Sequence, residues 1–181
     1  MAPYDIIGNI ALMKFAQGVS KAHKLRFAKA LVRERKQVTT VLEKTGRIKG
    51  RLRTPQTRFL LGENTKEALY RENGCVFRFN VDTCYFSPRL STERKELASL
   101  LKKGESVLVL FGGVAPFAVV MAKEQKAKEV VSVEVNRAAT KYALENVKRN
   151  KVAVEVVQGD VKRILPKFRR TFHRIVMARP N

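Results

Sequence analysis

The sequence is short of the residues that build metal centres and disulfide frameworks. It has 2 cysteines, 2 histidines and no tryptophan, and Cys75, Cys84, His23 and His173 stand at no spacing typical of zinc ligands. We therefore predict no metal site. The two cysteines bracket segments with the pattern of paired strands and could face each other, but a cytosolic setting favours free thiols.

Long apolar runs are also absent. No window approaches about 18 uninterrupted apolar residues, the length that indicates a membrane-spanning helix. Residues 1–12 lack the basic start and the cleavage site of a signal peptide. These absences predict a cytoplasmic protein with no membrane partner.

Acidic residues are scarce, with 16 Asp and Glu against 37 Lys and Arg among 181 residues. The formal net charge of +21 is far more than solubility requires. It indicates a polyanionic partner, in the first place a nucleic acid. The basic residues are spread along the whole chain, which argues against a membrane-surface role through one basic amphipathic helix.

The first third of the chain predicts a small basic α+β domain over residues 1–62. Residues 4–15 are predicted as a strand with a break at Gly8, residues 19–36 as an amphipathic helix capped by Ser20, and residues 38–42 as a second strand. A basic ribbon or hairpin follows over residues 44–58, with no acidic residue to offset its charge. Its side chains can contact phosphates without reading a base sequence. The RNA-binding candidates are Lys44, Arg47, Lys49, Arg51, Arg53 and Arg58.

The next segment, residues 63–95, predicts a linker module. Residues 63–74 are interpreted as a turn or short linker, and alternating apolar residues from Cys75 onward indicate a strand. Ser91 is the predicted N-cap of a following helix whose apolar side carries Leu97, Leu100 and Leu101.

Residues 96–181 predict a Rossmann-like α/β domain with four strands. A buried strand over residues 107–111 is followed by glycines at 112 and 113, then by a helix from Pro116 and a second strand ending near Glu134. Residues 137–151 are predicted as a helix with Ala138, Tyr142 and Val147 among its inward residues. A third strand ends at Gly159 and Asp160, and residues 173–177 form the fourth. The carboxyl ends of parallel strands share one edge, where open α/β sheets bind nucleotide-like ligands. No lysine follows the glycines as in a P-loop.

Seven segments in chain order resemble one known family. They are YDIIGNIAL (4–12), KTGRIKG (44–50), ENGCVFRFNVDTCYFSPRLSTER (72–94), FGGVAPF (111–117), VEVN (133–136), ENVKRNKV (145–152) and GD (159–160). With these the chain is similar to the archaeal and eukaryotic tRNA (guanine-37) N1-methyltransferases, the Trm5 family. The resemblance covers nearly the whole chain and implies a class I methyltransferase fold that uses S-adenosylmethionine to methylate N1 of guanosine 37 in tRNA.

The resemblance also implies the site residues. The cofactor-binding candidates are Phe111, Gly112, Gly113, Pro116, Phe117, Glu134 (ribose) and Asp160 (adenine). Arg89 would lie near the target guanine and stabilise charge on O6. The resemblance does not supply the general base; our own candidate for it is Glu93, with a capping or surface role as the alternative. The implied target-base loop is Arg179, Pro180 and Asn181.

The chain departs from the family pattern at several points. Residues 107–110 lack the acid often found near the end of the first strand, Ala115 replaces a glycine, and the loop at residues 178–181 lacks the side-chain amide at its first position. We expect the α/β sheet to be incomplete at the carboxyl terminus, so that a missing segment or a second chain completes it. The alternative function is that of a catalytically inactive methyltransferase-like RNA-binding protein, for example in a ribosome or another RNP.

Overall fold

The computed structural model describes residues 3–46 and 56–178. The chain forms two compact units. The first contains Met1–Tyr70 and Phe79–Tyr85, and the second contains Arg71–Arg78 and Phe86–Asn181.

The first unit contains a four-stranded sheet and one long helix. Its elements are β1 (Tyr4–Ile7), β2 (Ile10–Met13), α1 (Lys21–Glu34), β3 (Thr40–Lys44) and β4 (Thr57–Gly62). The strands lie in the order β1-β2-β3-β4, with β2 and β3 parallel and the other pairs antiparallel. The connection through α1 makes the parallel pair possible.

The single strand predicted over residues 4–15 is wrong, because Gly8 reverses the chain and makes a β1–β2 hairpin. Its φ is +58°, and a Cβ there would lie 1.9 Å from the carbonyl oxygen of Leu69. Only glycine fits this turn without displacing backbone. The helix prediction is confirmed, including its cap, since the Ser20 hydroxyl accepts from the His23 amide at 3.3 Å.

The core of the first unit lies where α1 packs on the sheet. Its buried residues come from β2, α1 and β3 and the turn before it: Ala11, Met13, Ala28, Leu31, Val38 and Val41. The inward spacing on α1 is helical, while its basic residues Arg26, Lys29 and Arg33 are exposed. The amphipathic pattern therefore produces a helix with a buried stripe and a cationic outer surface.

The interpretation of residues 63–74 as a linker is wrong. Half of them form strand β5 (Glu67–Glu72), which pairs with β6 (Cys75–Asn80) in a two-stranded sheet. Asn73 and Gly74 form the turn with φ of +46° and +69°, as an Asn-Gly hairpin requires. The division between the two units falls inside both strands.

The second unit contains a parallel sheet flanked by helices. Its elements are α2 (Ser91–Ser99), β7 (Ser106–Leu110), α3 (Pro116–Lys123), β8 (Glu129–Glu134), α4 (Arg137–Asn150), β9 (Glu155–Gln158), α5 (Val161–Ile164) and β10 (Arg174–Met177). The strands lie in the order β10-β7-β8-β9, all pairs parallel. The predicted four-stranded Rossmann-like arrangement is confirmed.

The central strand β7 is buried along its whole length, as its unbroken apolar run predicts. Leu108 and Leu110 form a core cluster with residues of β8, and α5 packs on that cluster. The helices α2, α3 and α4 contact one another in sequence. The helices thus cover the apolar faces of the parallel sheet.

Three details of the predicted helices are wrong. Helix α2 begins directly after a 3-10 turn at Pro88–Leu90, so the Ser91 side chain does not cap it. Leu100 is 60% exposed, because α2 ends at Ser99. The buried side of α4 consists of Ala139, Thr140, Ala143, Asn146 and Asn150, which places the predicted inward residues Ala138, Tyr142 and Val147 at its margin.

Cys75 and Cys84 are both buried and free. Burial raises the pKa of the Cys75 thiol, which lowers its thiolate fraction and its reactivity. No helix in the described ranges is long and apolar enough to cross a membrane.

Candidate nucleotide-binding site

Three predicted site segments meet at the carboxyl edge of the parallel sheet. The register sets Leu110 beside Val133 and Glu134 beside Gln158. The turn after β7, the end of β8 and the turn after β9 therefore leave the sheet at one level. This is the edge at which open α/β sheets bind ligands.

The turn after β7 has an unusual backbone. Phe111, Gly113 and Ala115 have φ of +58°, +57° and +65°, a left-handed conformation that non-glycine residues adopt only at a cost. The Gly112 amide donates to Val133 O at 3.0 Å and the Ala115 amide donates to Gly112 O at 2.9 Å. The turn delivers Pro116 to the first position of α3, where its missing N–H is harmless.

Gly112 is required by packing within the protein. A Cβ at this position would lie 2.1 Å from the Ser132 hydroxyl oxygen on β8. Ser132 is buried, and its hydroxyl has no hydrogen-bond partner in the described structure. The glycine pattern that predicts a ligand site thus also serves contact between the turn and the next strand.

Glu134 fastens this turn to the end of β8. Its Oε2 accepts from the Gly113 amide at 2.8 Å, and its Oε1 accepts from the Asn136 amide at 2.7 Å. The residue is only 8% exposed. Each carboxylate oxygen can accept a second hydrogen bond, so Glu134 can still receive the two hydroxyls of a ribose while it holds the turn.

Asp160 lies one strand further along the edge. Its Oδ1 accepts from the Lys162 amide at 2.9 Å, which caps the short helix α5. The preceding Gly159 amide donates to Glu134 O at 2.8 Å. Glu134 and Asp160 are therefore carried by neighbouring strand ends joined by a backbone hydrogen bond.

Partly buried apolar side chains surround this edge. Phe111, Val157, Val161 and Ile164 pack against the core cluster of Leu108, Leu110, Val131 and Val133. An apolar surface beside two carboxylates fits a nucleoside, whose base is flat and weakly polar and whose ribose carries hydroxyls. The residues present therefore fit an adenosine-containing cofactor.

The remaining predicted site residues lie at the starts of α2 and α3 or outside the described residues. Pro116 and Phe117 start α3, and Phe117 is 4% exposed. Arg89 lies in the 3-10 turn before α2 and Glu93 in the first turn of α2, both exposed. Within the part of the chain that the structure describes, the Glu93 side chain makes no hydrogen bond or ion pair. Arg179, Pro180 and Asn181 lie outside the described residues.

Two of the six predicted RNA-binding residues lie within the described residues and four lie outside them. Lys44 donates to Asp5 at 2.6 Å and Arg58 donates to Glu43 at 2.9 Å, so both are ion-paired. Glu43 also accepts from Lys24 at 2.6 Å. Arg47, Lys49, Arg51 and Arg53 lie outside the described residues.

No group of three potential metal ligands occurs in the described ranges.

Sequence reasoning missed the buried Arg94. Its guanidinium donates to both carboxylate oxygens of Glu72, at 2.5 and 2.6 Å, and to Ser87 O at 3.0 Å. It also lies over the rings of Phe86 and Phe117, 5.2 and 5.5 Å from their centroids. The only signal was its place in the segment YFSPRLSTER, which gives no sign of burial.

Sequence reasoning also missed two asparagines on α4. Asn146 and Asn150 lie one turn apart, both buried. Their side chains bind the backbone of β6: Asn146 pairs with both backbone groups of Arg78, and Asn150 with both of Val76. The i, i+4 asparagine spacing was the available signal.

The parallel sheet, the left-handed glycine turn and the paired acids define a Rossmann-like domain of the kind that binds nucleotide ligands at its carboxyl edge. The chain belongs to a particular family of this class, the TRM5/TYW2 methyltransferase domain family, whose sequence model matches residues 68–181. The TYW2 N-terminal domain model matches residues 2–65.

Individual relatives agree with this assignment. The tRNA (guanine(37)-N(1))/4-demethylwyosine(37)-methyltransferase Taw22 of Nanoarchaeum equitans is 41% identical over 157 residues, covering 87% of this chain and 51% of the relative. The crystal structure of Trm5b from Pyrococcus abyssi is 36% identical with a TM-score of 0.85, covering 99% of this chain and 52% of that protein.

A complex of aTrm5 with tRNALeu has the same fold, with a TM-score of 0.86 at 24% identity over 99% of this chain and 52% of that one. The chain therefore spans about half the length of these three proteins. The family and the methyltransferase fold predicted from sequence are confirmed.

Proposed function

We propose that this chain binds S-adenosylmethionine at the carboxyl edge of its parallel sheet and acts in the methylation of N1 of guanosine 37 in tRNA. The observation that carries the proposal is Glu134, a buried carboxylate held at 2.7–2.8 Å by the Gly113 and Asn136 amides. It lies where a ribose is bound in this class of fold. The activity would be cytoplasmic.

The edge residues divide the cofactor between them. Glu134 would accept from the ribose hydroxyls, Asp160 from the adenine amino group, and Phe111 would cover an apolar face of the adenosine. Gly112, Gly113 and Pro116 shape the turn, and Phe117 supports it from the core. Bound S-adenosylmethionine supplies an electrophilic methyl group on its sulfonium.

The protein must also prepare the guanine. Methylation at N1 removes the N1 proton and raises the negative charge on O6, so the site needs a proton acceptor and a nearby cation. We assign the cation to Arg89, which precedes α2, and test Glu93 as the acceptor. Arg179, Pro180 and Asn181 would hold the target base.

The tRNA would be held by the basic amino-terminal unit. Exposed cations on α1 and the basic residues 47, 49, 51 and 53 can neutralise phosphates without reading sequence. Lys44 and Arg58 already neutralise Asp5 and Glu43. We therefore expect their share of the RNA binding to be smaller.

A further segment or a second chain would complete the sheet. β10 is an edge strand of the described sheet, and its side chains Ile175 and Met177 are 59% and 70% exposed. Apolar side chains on an unpaired edge favour association. A further segment or a second chain that pairs with β10 would cover Ile175 and Met177.

The decisive experiment is transfer of a labelled methyl group to a tRNA transcript with G37, compared with one carrying A37. We expect transfer to the G37 transcript alone. It should be run with the chain and with the chain supplemented by the carboxyl-terminal half of a relative. No transfer in either format would contradict the proposed activity.

A second candidate is methylation of 4-demethylwyosine at the same tRNA position. Two observations favour it: the TYW2 N-terminal model matches residues 2–65, and the Nanoarchaeum equitans relative carries both activities in its name. Transfer to tRNA containing 4-demethylwyosine but not to the G37 transcript would select it.

The binding-only alternative makes a different prediction. Calorimetry would show no S-adenosylmethionine binding, while RNA would bind tightly with a strong salt dependence. That pair of results would favour a methyltransferase-like RNA-binding component of a ribosome or another RNP.

A further inference from the structure

Asn146 connects two parts of the second unit, the turn after β7 and strand β6. Its Nδ2 donates to Val114 O at 3.1 Å, inside the turn after β7, and to Arg78 O at 3.2 Å on β6. Its Oδ1 accepts from the Arg78 amide at 2.8 Å. The residue is fully buried, so every polar atom of its side chain is used inside the protein.

The Val114 carbonyl is a sensitive point in the turn. It lies between Gly113, which donates to Glu134 at 2.8 Å, and Ala115, which has a φ of +65°. A left-handed residue that is not glycine persists only where the surroundings hold it. The hydrogen bond from Asn146 is one such restraint, because a buried carbonyl without a donor is costly.

Asn150 provides a matched comparison one turn further along α4. Its side chain accepts from the Val76 amide at 2.8 Å and donates to Val76 O at 2.8 Å, so it anchors β6 just as Asn146 does. Its second donated bond goes to Asn146 O at 2.8 Å within its own helix. The two asparagines therefore have the same chemistry, are both buried and differ in one partner, the glycine turn.

We infer that Asn146 is a positioning residue for the cofactor turn: by holding Val114 it keeps the backbone of residues 113–115 in the shape that presents Glu134. Asn150 anchors β6 without this effect. The part of the inference that concerns cofactor affinity rests on the proposed function, and the part that concerns the turn does not.

The experiment compares Asn146→Asp with Asn150→Asp. Each substitution keeps the oxygen that accepts from β6 and replaces the nitrogen that donates to two carbonyls. Both variants should therefore lose similar thermal stability. Amide hydrogen exchange in the ligand-free protein would be followed at Gly113 and Ala115, whose amides donate to Glu134 and Gly112.

We expect N146D to speed exchange at these two amides at least tenfold and N150D to change it less than about threefold. Calorimetry with S-adenosylmethionine, well below the unfolding temperature, should give a dissociation constant at least tenfold weaker for N146D and within about twofold of the parent for N150D. Should N146D fail to fold, Asn146→Ser with Asn150→Ser repeats the comparison with a smaller change in charge.

Equal effects of the two substitutions, or no effect of N146D on exchange, would overturn the inference, because loss of the β6 anchor alone would then explain the data. If the parent chain itself binds no S-adenosylmethionine, the proposed function fails. The exchange comparison alone then decides the role of Asn146.

Discussion

At the scale of single residues, the glycine turn serves two purposes that sequence cannot separate. Gly113 has a positive φ and its amide binds Glu134. At Gly112 the Ser132 hydroxyl instead leaves no room for a side chain. One glycine thus serves the turn and its carboxylate, and the other serves the packing of the turn on β8.

We predict that Gly112→Ala lowers the free energy of unfolding by about 1–3 kcal/mol, the usual cost of overpacking. Adding Ser132→Ala should restore most of it, because the hydroxyl oxygen at 2.1 Å is removed and the Ser132 Cβ lies at 3.5 Å, an ordinary contact. Urea unfolding of both single variants and the double variant measures this.

Ser132→Ala alone is the control and should leave stability nearly unchanged, since the buried hydroxyl has no partner in the described structure. A double variant as unstable as Gly112→Ala would refute the packing explanation.

At the scale of structural elements, a buried ion pair within the second unit joins the end of β5 to the first turns of α2. Arg94 and Glu72 have side chains that are 1% and 2% exposed. A buried pair is not a large net source of stability, but removal of one partner leaves a charge without solvation. The segment YFSPRLSTER therefore carries a structural residue, Arg94, beside the proposed functional residue, Arg89.

We predict that Arg94→Ala destabilises the second unit by about 3–5 kcal/mol. The matched control is Arg78→Ala, which removes an exposed pair with Glu145 whose side chains are 39% and 47% exposed and should cost less than about 1 kcal/mol. Thermal unfolding of both variants tests this. Similar losses would show that Arg94 is not a buried anchor.

A second element-scale network joins α1, β3 and β4 through Glu43. Burial alone would raise the pKa of this carboxyl, but hydrogen bonds and charges from Lys24 and Arg58 outweigh burial and lower it. Between the lowered folded pKa and the unfolded value of about 4.3, the unfolded state binds more protons, so stability rises with pH. This contribution is fully present above the unfolded pKa and is lost as pH falls through the folded pKa.

We predict that Glu43→Gln flattens the loss of stability between about pH 5 and pH 3 relative to the parent. Urea unfolding of the first unit at several pH values measures the difference. Glu34→Gln, which removes a carboxylate from a side chain that is 61% exposed, is the control. Parallel curves for the parent and Glu43→Gln would contradict the assignment.

At the scale of the whole molecule, the net charge of +21 indicates a polyanionic partner. Internal ion pairs reduce the number of cations available to RNA, and Lys44 and Arg58 are two examples. A count of basic residues in the sequence therefore overestimates the charge available to bind RNA, because some of these residues pair with acidic side chains in the fold.

We predict that Arg47→Gln with Arg51→Gln lowers the slope of log K against log salt for tRNA binding by roughly 1.4–1.8, because each phosphate that a cation neutralises adds about 0.7–0.9 to the slope. Lys44→Gln with Arg58→Gln removes the same charge and should lower it by less than about 0.5. Filter binding over a salt series measures both. Equal changes would show that the ion pairs do not withhold these cations from RNA.

Local pattern and tertiary context each account for part of this protein. The apolar run of β7, the helical spacing on α1 and the acids at the carboxyl ends of β8 and β9 could be predicted from sequence, because burial on both faces, amphipathicity and strand ends leave traces in the local pattern. The β5 strand was missed because its polar residues suggested a linker, although Asn73-Gly74 is a hairpin signal. The inward face of α4 was misplaced because its buried positions include polar asparagines.

The turn after β7 shows which features the sequence determines and which the tertiary structure determines. Sequence was enough to predict that a strand, a glycine turn and a helix follow one another and that acids stand at the next strand ends, since these features depend on near neighbours in the chain. Folding in three dimensions was needed to show that Ser132 excludes a side chain at residue 112, that Glu134 fastens Gly113, and that Asn146 holds Val114. These interactions join residues 20 or more positions apart in the chain, and no local periodicity records such distances.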